Sequence, residues 1–141
     1  MELTERALIQ AAAAVARLRR HGDRHTVAAA VLSPDGRVFT GVDVRRGGGP
    51  AGIAGAERAA GSAADVGGAC AEVVAVGTAA TQGVRELRTI VTVGDRGRQV
   101  REPCADCRRL LAELFPDLRI ILGTPEEPYV MTVAELSVRQ P

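Results

Sequence analysis

Gly67-Gly68-Ala69-Cys70-Ala71-Glu72 and Pro103-Cys104-Ala105-Asp106-Cys107-Arg108 between them hold all three cysteines of the chain, and the rest of the sequence is read outward from them. Cys104 and Cys107 stand three residues apart where Pro103 opens a helix, a spacing that turns both sulfurs to one face. Cys70 brings a third sulfur from a separate segment. Three converging thiolates read as a zinc site, and a structural zinc is normally closed by four protein ligands whereas a catalytic one keeps a position for water. No cysteine remains to close this one. Glu72, two residues past the first ligand, then stands where it can handle that water's protons.

Zinc deaminases carry His or a third Cys followed by x-Glu, then Pro-Cys-x-x-Cys. Cys70-Ala71-Glu72 with Pro103-Cys104-Ala105-Asp106-Cys107-Arg108 resembles the three-cysteine branch of the cytidine deaminase superfamily, and the interval of 34 residues from Cys70 to Cys104 suits it. Within that superfamily, residues 70–80 and 35–42 look most like the blasticidin S deaminases. The likeness runs from about Val27 to Leu136, interrupted between Arg45 and Gly68.

The bulk properties fit a small enzyme. A chain of 141 residues with 46% hydrophobic content supports one domain, 1–141, with one core. A formal charge of +1 gives no electrostatic reason to expect nucleic acid or an anionic membrane as partner. No apolar run approaches the roughly 18 residues of a membrane span, and the N-terminus lacks the basic-then-apolar order of a signal peptide, so a cytoplasmic location is expected. Three cysteines without an export signal fit reduced, metal-binding thiols better than disulfides. All 18 basic residues are Arg, which excludes Schiff-base lysine chemistry and a Walker-type phosphate loop. None of Ser33, Ser62 and Ser137 stands in a Gly-x-Ser-x-Gly setting, which argues against a serine hydrolase.

In chain order, residues 3–20 carry Leu8, Ala11, Val15 and Leu18 at near-helical spacing and predict an amphipathic helix, with Arg17, Arg19 and Arg20 as a solvated cationic end. Thr26 to Leu32 reads as a strand buried on both faces, Ser33-Pro34-Asp35-Gly36 as a turn, and Arg37 to Val44 as the returning strand of a hairpin. His21 and His25 are read as surface or packing residues. The stretch 47–69 is an insertion, expected to be a lid or substrate-shaping loop. It contains Gly55-Ala56-Glu57-Arg58, a decoy of the ligand motif with glycine where the sulfur belongs. A helix from Cys70 to about Gln82, a strand at Leu87 to Val93, a helix after Pro103, strands at Leu118 to Leu122 and Tyr129 to Val133, and a short helix at Ala134 to Val138 complete the reading. Such alternation indicates a three-layer α/β/α sandwich around a mixed five-stranded sheet, which is also the fold of the family resembled.

The resemblance implies hydrolytic deamination of a cytosine ring, with Zn2+ activating water and Glu72 moving its protons. It implies that the backbone around Ala71, Glu102 and Pro103 holds the base edge, that Arg108 offsets the thiolate charge, and that subunits assemble as a homotetramer. Ordinary nucleoside-type relatives carry Asn-x-Glu for the sugar hydroxyls where this chain has Asp43-Val44-Arg45. Asp43 can accept hydrogen bonds, while Arg45, or its neighbour Arg46, suits a carboxylate or phosphate. Phe39 is the first candidate for stacking on the base, since Phe115 and Tyr129 are the only other aromatics. A modified cytosine nucleoside of blasticidin S type is therefore the expected substrate. An ordinary cytidine or deoxycytidine deaminase is the alternative, and a non-catalytic zinc-stabilised protein a third reading.

Overall fold

The computed structural model describes residues 2–45 and 68–139. Helix α1, Glu2–Arg19, is followed by the hairpin strands β1, Ala28–Leu32, and β2, Val38–Val42. Next come α2, Ala71–Thr81, β3, Thr89–Gly94, a short β4, Gln99–Arg101, and α3, Ala105–Leu114. Strands β5, Arg119–Gly123, and β6, Pro128–Thr132, and helix α4, Val133–Arg139, end the described chain. No helix among the described residues is long and apolar enough to cross a membrane.

The strands form one mixed sheet in the order β2-β1-β3-β5-β6, with only β3 and β5 parallel on that path. Those five are the expected strands. A sixth is added by β4, which pairs antiparallel with β3 (Thr92↔Arg101, Gly94↔Gln99) beyond the two residues, Thr89 and Ile90, that pair with β5. It forms because a tight turn at Asp95–Gly97, with Arg96 at φ 58° and Gly97 at φ 88°, sends the chain back along the same edge. Three residues, Gln-Val-Arg, carry no periodic signal by which a strand is recognised.

Strict alternation along the strands makes the three layers. Ala28 and Ala30 of β1, Val91 and Val93 of β3 and Ile121 of β5 face α1, whereas Ala29, Val31, Ile90, Ile120 and Leu122 face α2, α3 and α4. Thr92 and Gly94 therefore share the α2 face, and register with Thr92 brings Arg101 to it as well. On α1 the buried side chains are Leu8, Ile9, Ala12, Ala13 and Ala16, with Ala11 and Val15 at the margin. Leu18, expected to face the sheet, is 74% exposed. The seam is turned because alanines, too small to dominate a sequence pattern, let the helix come close: a Cβ on Gly97 would lie 2.3 Å from that of Ala13.

Candidate metal centre and active site

The chain reaches the site through a clasp. After β2, Val44 and Ala69 exchange main-chain hydrogen bonds of 2.9 and 2.7 Å in an isolated antiparallel bridge, which joins the two ends of the segment 46–67 immediately before Cys70. That segment, and with it Arg46, the decoy motif and most of the expected insertion, lies outside the described residues. Gly68 is required here, since a Cβ would sit 2.1 Å from the Val44 carbonyl oxygen and 2.7 Å from the Arg45 Cα. Cys70 leaves the bridge in extended conformation (ψ 156°) and is the N-cap of α2.

Helix α2 is held against the hairpin by the smallest side chains available. Ala71, Ala75 and Ala79 are buried, and Gly41 of β2 lies under the helix so closely that a Cβ there would approach the Ala75 nitrogen to 2.5 Å. This contact fixes where Cys70 and Glu72 stand relative to the sheet. Cys104 similarly follows buried Pro103 as the N-cap of α3, but with its sulfur turned into the helix, accepting the Cys107 N–H at 3.4 Å.

Both helix starts converge. The three sulfurs lie within 4.8 Å of one another, with Cys70 and Cys104 Sγ 3.9 Å apart. Four ligands held tetrahedrally about 2.3 Å from zinc would put sulfurs about 3.8 Å apart, so the donor set fits that ion in both chemistry and spacing. The Cys104 thiol is held down at about 2, first by hydrogen bonds from the Cys107 and Cys70 thiols and then by main-chain N–H groups of α3. Cys70 is pushed up to about 11, first by its hydrogen bond with Cys104, and Cys107 is raised as well. A divalent cation held by the three sulfurs would displace their remaining protons.

Cys70 has no side-chain bond into its own helix, and its sulfur is reached from outside. The Arg45 guanidinium donates to Cys70 Sγ at 3.2 Å through one terminal nitrogen, and its Nε lies 3.6 Å from the Asp43 carboxylate. Asp43, only 8% exposed, also accepts the Val27 N–H at 3.1 Å, and its carbonyl accepts the His25 Nδ1–H at 2.8 Å. His25 is thus a half-buried packing residue and His21 an exposed one. Arg108 lies in the first turn of α3, its main-chain N–H bonded to the Cys104 carbonyl at 2.8 Å.

Glu72, in the first turn of α2, is 5% exposed. Burial pushes its carboxyl above the usual range, and the Cys104 charge adds to this; its own main-chain N–H, the Thr92 hydroxyl and the Arg101 guanidinium oppose the rise. Thr92 and Arg101 were not among the residues singled out by sequence. The alternation of β3 would have found Thr92's face, but Arg101 is placed by the unforeseen β4, and it lies across Gly94, where an added Cβ would meet its Cδ at 2.8 Å. Of the other expected substrate contacts, Ala71 and Pro103 are buried at the two helix starts and Glu102 is exposed beside Pro103. Phe39 is half-buried against the α2-side core, with the Arg37 guanidinium 5.7 Å from its ring centre.

A three-thiolate centre for zinc on this α/β/α fold, with a buried carboxyl alongside, defines a catalytic zinc-binding aminohydrolase. Residues 1–123 match the cytidine and deoxycytidylate deaminase zinc-binding region, and the chain belongs to that family. It is 33% identical over 115 residues to a cytidine deaminase of Halalkalibacterium halodurans, covering 80% of this chain and 74% of that one. It is 32% identical to the blasticidin-S deaminase of Bacillus cereus over 74 residues, a match spanning 48% of this chain and only about half, 53%, of that protein. Among solved structures, the cytidine deaminase of Mycobacterium leprae superposes with a TM-score of 0.66 at 29% identity, over 92% of this chain and 93% of that one.

Proposed function

We propose that this chain hydrolyses the amino group of cytidine or deoxycytidine, releasing ammonia and leaving the uracil nucleoside. The observation that carries this over an antibiotic substrate is the orientation of Arg45. Its guanidinium, which suited an acidic sugar when only the sequence was considered, is engaged by the Cys70 sulfur and the Asp43 carboxylate. Similarity to cytidine deaminases over most of the chain supports the same choice.

Cys70, Cys104 and Cys107 would hold the zinc, which when bound supplies the Lewis acidity that makes water a nucleophile near neutral pH. Glu72 would take a proton from the attacking water, deliver it to the ring nitrogen as the amino-bearing carbon is attacked, and then help protonate the departing amine. A carboxyl whose ionisation is held back by burial is suited to giving up and regaining a proton in turn. The main chain at Ala71, Glu102 and Pro103 holds the base edge, Phe39 offers a ring face, and Asp43 accepts from the sugar. Assembly as a homotetramer is part of this proposal, and light scattering on the purified protein tests it.

A second reading, a modified cytosine nucleoside of blasticidin S type, is favoured by the Bacillus cereus match and by Asp43-Val44-Arg45 standing in place of Asn-x-Glu. Side-by-side turnover of cytidine, deoxycytidine and blasticidin S, followed by ammonia release, separates the two. We expect the simple nucleosides to give the larger kcat/KM; a tenfold preference for blasticidin S would reverse the order of the readings.

A further inference from the structure

The two ligand sulfurs that begin helices are supplied with hydrogen bonds in different ways. Cys104 Sγ draws on an N–H of its own first turn, whereas the donor that reaches Cys70 Sγ comes from a residue 25 positions earlier. The approach of Arg45 is built into the backbone. The Val44–Ala69 bridge places Arg45 beside the strand that leads into Cys70, and the missing side chain of Gly68 makes room for the Arg45 Cα. Asp43 then holds the guanidinium from the other side, itself fixed by the Val27 N–H. Asp43 is shielded and Arg45 about one-third exposed, at 11% and 35% of their side chains, so their interaction is screened less than that of a fully exposed pair.

Three thiolates around a divalent ion carry one excess negative charge, and an arginine fork touching one sulfur is placed to offset it. We propose that Arg45 is a positioning residue of the metal centre: clamped by Asp43 and by the bridge over Gly68, it compensates the charge at Cys70 and so sets how tightly the centre holds zinc. The proposal rests on the three-sulfur site and is independent of which cytosine nucleoside is turned over. It assigns Arg45 to the metal and removes it from substrate recognition.

The test is zinc transfer from the purified protein to a chromophoric chelator, read as a dissociation constant without any turnover. Arg45→Ala is expected to weaken zinc retention by roughly 10- to 100-fold, the range seen when groups that support metal ligands are removed. Arg45→Lys, which keeps the charge, recovers part of the loss; Arg45→Gln, which keeps only a donor, recovers less; and Asp43→Asn, which loosens the clamp, falls between wild type and Arg45→Ala. Circular dichroism confirms that each variant is folded, and the Asp43 and Gln variants carry the test if the alanine variant is not. Zinc affinity of Arg45→Ala within twofold of wild type overturns the proposal, as does a rise in KM with zinc retention unchanged. Cys70→Ser separates this failure from failure of the site itself: if that variant binds zinc as wild type does, Cys70 is no ligand and the three-sulfur reading falls first.

Discussion

The starts of α2 and α3 are two solutions to one problem. Each begins at a cysteine in extended conformation, each sulfur needs a positive environment, and each helix offers free N–H groups. At Cys104 the solution is local, for the sulfur folds back onto its own first turn and acts as the cap. At Cys70 the sulfur makes no such bond, and a cation arrives from beyond the end of β2. A ligand with a local donor is specified by a few adjacent residues, whereas one with a distant donor depends on register across the fold.

The largest expected effect marks what the two starts share. Glu72→Gln should lower kcat by about 10²- to 10⁴-fold while zinc content, measured by metal analysis, stays at the wild-type level. Loss of zinc together with activity would mean that Glu72 supports the ligands and not the proton transfers. Next, Gly41→Ala should cost about 1–3 kcal/mol in denaturant unfolding, because the new methyl meets the α2 backbone at Ala75 and Val74, which cannot move aside, as well as the Val74 side chain. The start at α3, which does not touch Gly41, should keep its local cap in that variant.

The comparison is sharpened most directly by pairs at the two caps in metal-stripped protein. Cys104→Ala should be less stable than Cys104→Ser by about 1 kcal/mol, since serine replaces the sulfur as acceptor for the Cys107 N–H and alanine cannot. At Cys70, which makes no side-chain cap, the Ala and Ser variants should differ by less; equal differences at both positions would abolish the distinction drawn between them. The smallest effect serves as a control far from the sulfurs. Thr132 and Glu135 form a reciprocal cap at α4, the Thr132 N–H bonding the Glu135 carboxylate at 2.8 Å and the Glu135 N–H bonding the Thr132 hydroxyl at 3.1 Å. These bonds hold the Glu135 carboxyl below its ordinary 4.5, so their stabilisation is present above that pH and lost as pH falls through the lowered value. Wild type and Glu135→Gln should therefore differ slightly in Tm at neutral pH and converge in acid.

What sequence could reveal follows the same division. The ligand triad was legible because Cys104-x-x-Cys107 and Cys70-x-Glu72 fix their geometry within one helical turn, and the hairpin because Ser33-Pro34-Asp35-Gly36 fixes a turn. The Gly36 N–H closes onto the Ser33 carbonyl at 3.0 Å, as that reading requires. Arg45 was recognised as an unusual cation, yet its partner is set by a bridge between residues 44 and 69 that no local pattern announces. Arg101 was invisible for a related reason: its charge reaches Glu72 only because β4 doubles back on β3. On α1 the stripe was misplaced toward Leu18 because hydrophobic size guided the reading, while the true seam is built largely from alanines chosen for closeness.

The convergence that suits a cation also creates a hazard when the cation leaves. Two sulfurs 3.9 Å apart need approach by only about 2 Å to reach the length of a disulfide. Cys104, whose thiol is held down by hydrogen bonds from its neighbours, is the more readily ionised of the two. Stripping the metal in air should thus cross-link Cys70 to Cys104 and lock the two helix starts together, so that readdition of zinc restores the protein only where a reductant has been kept present.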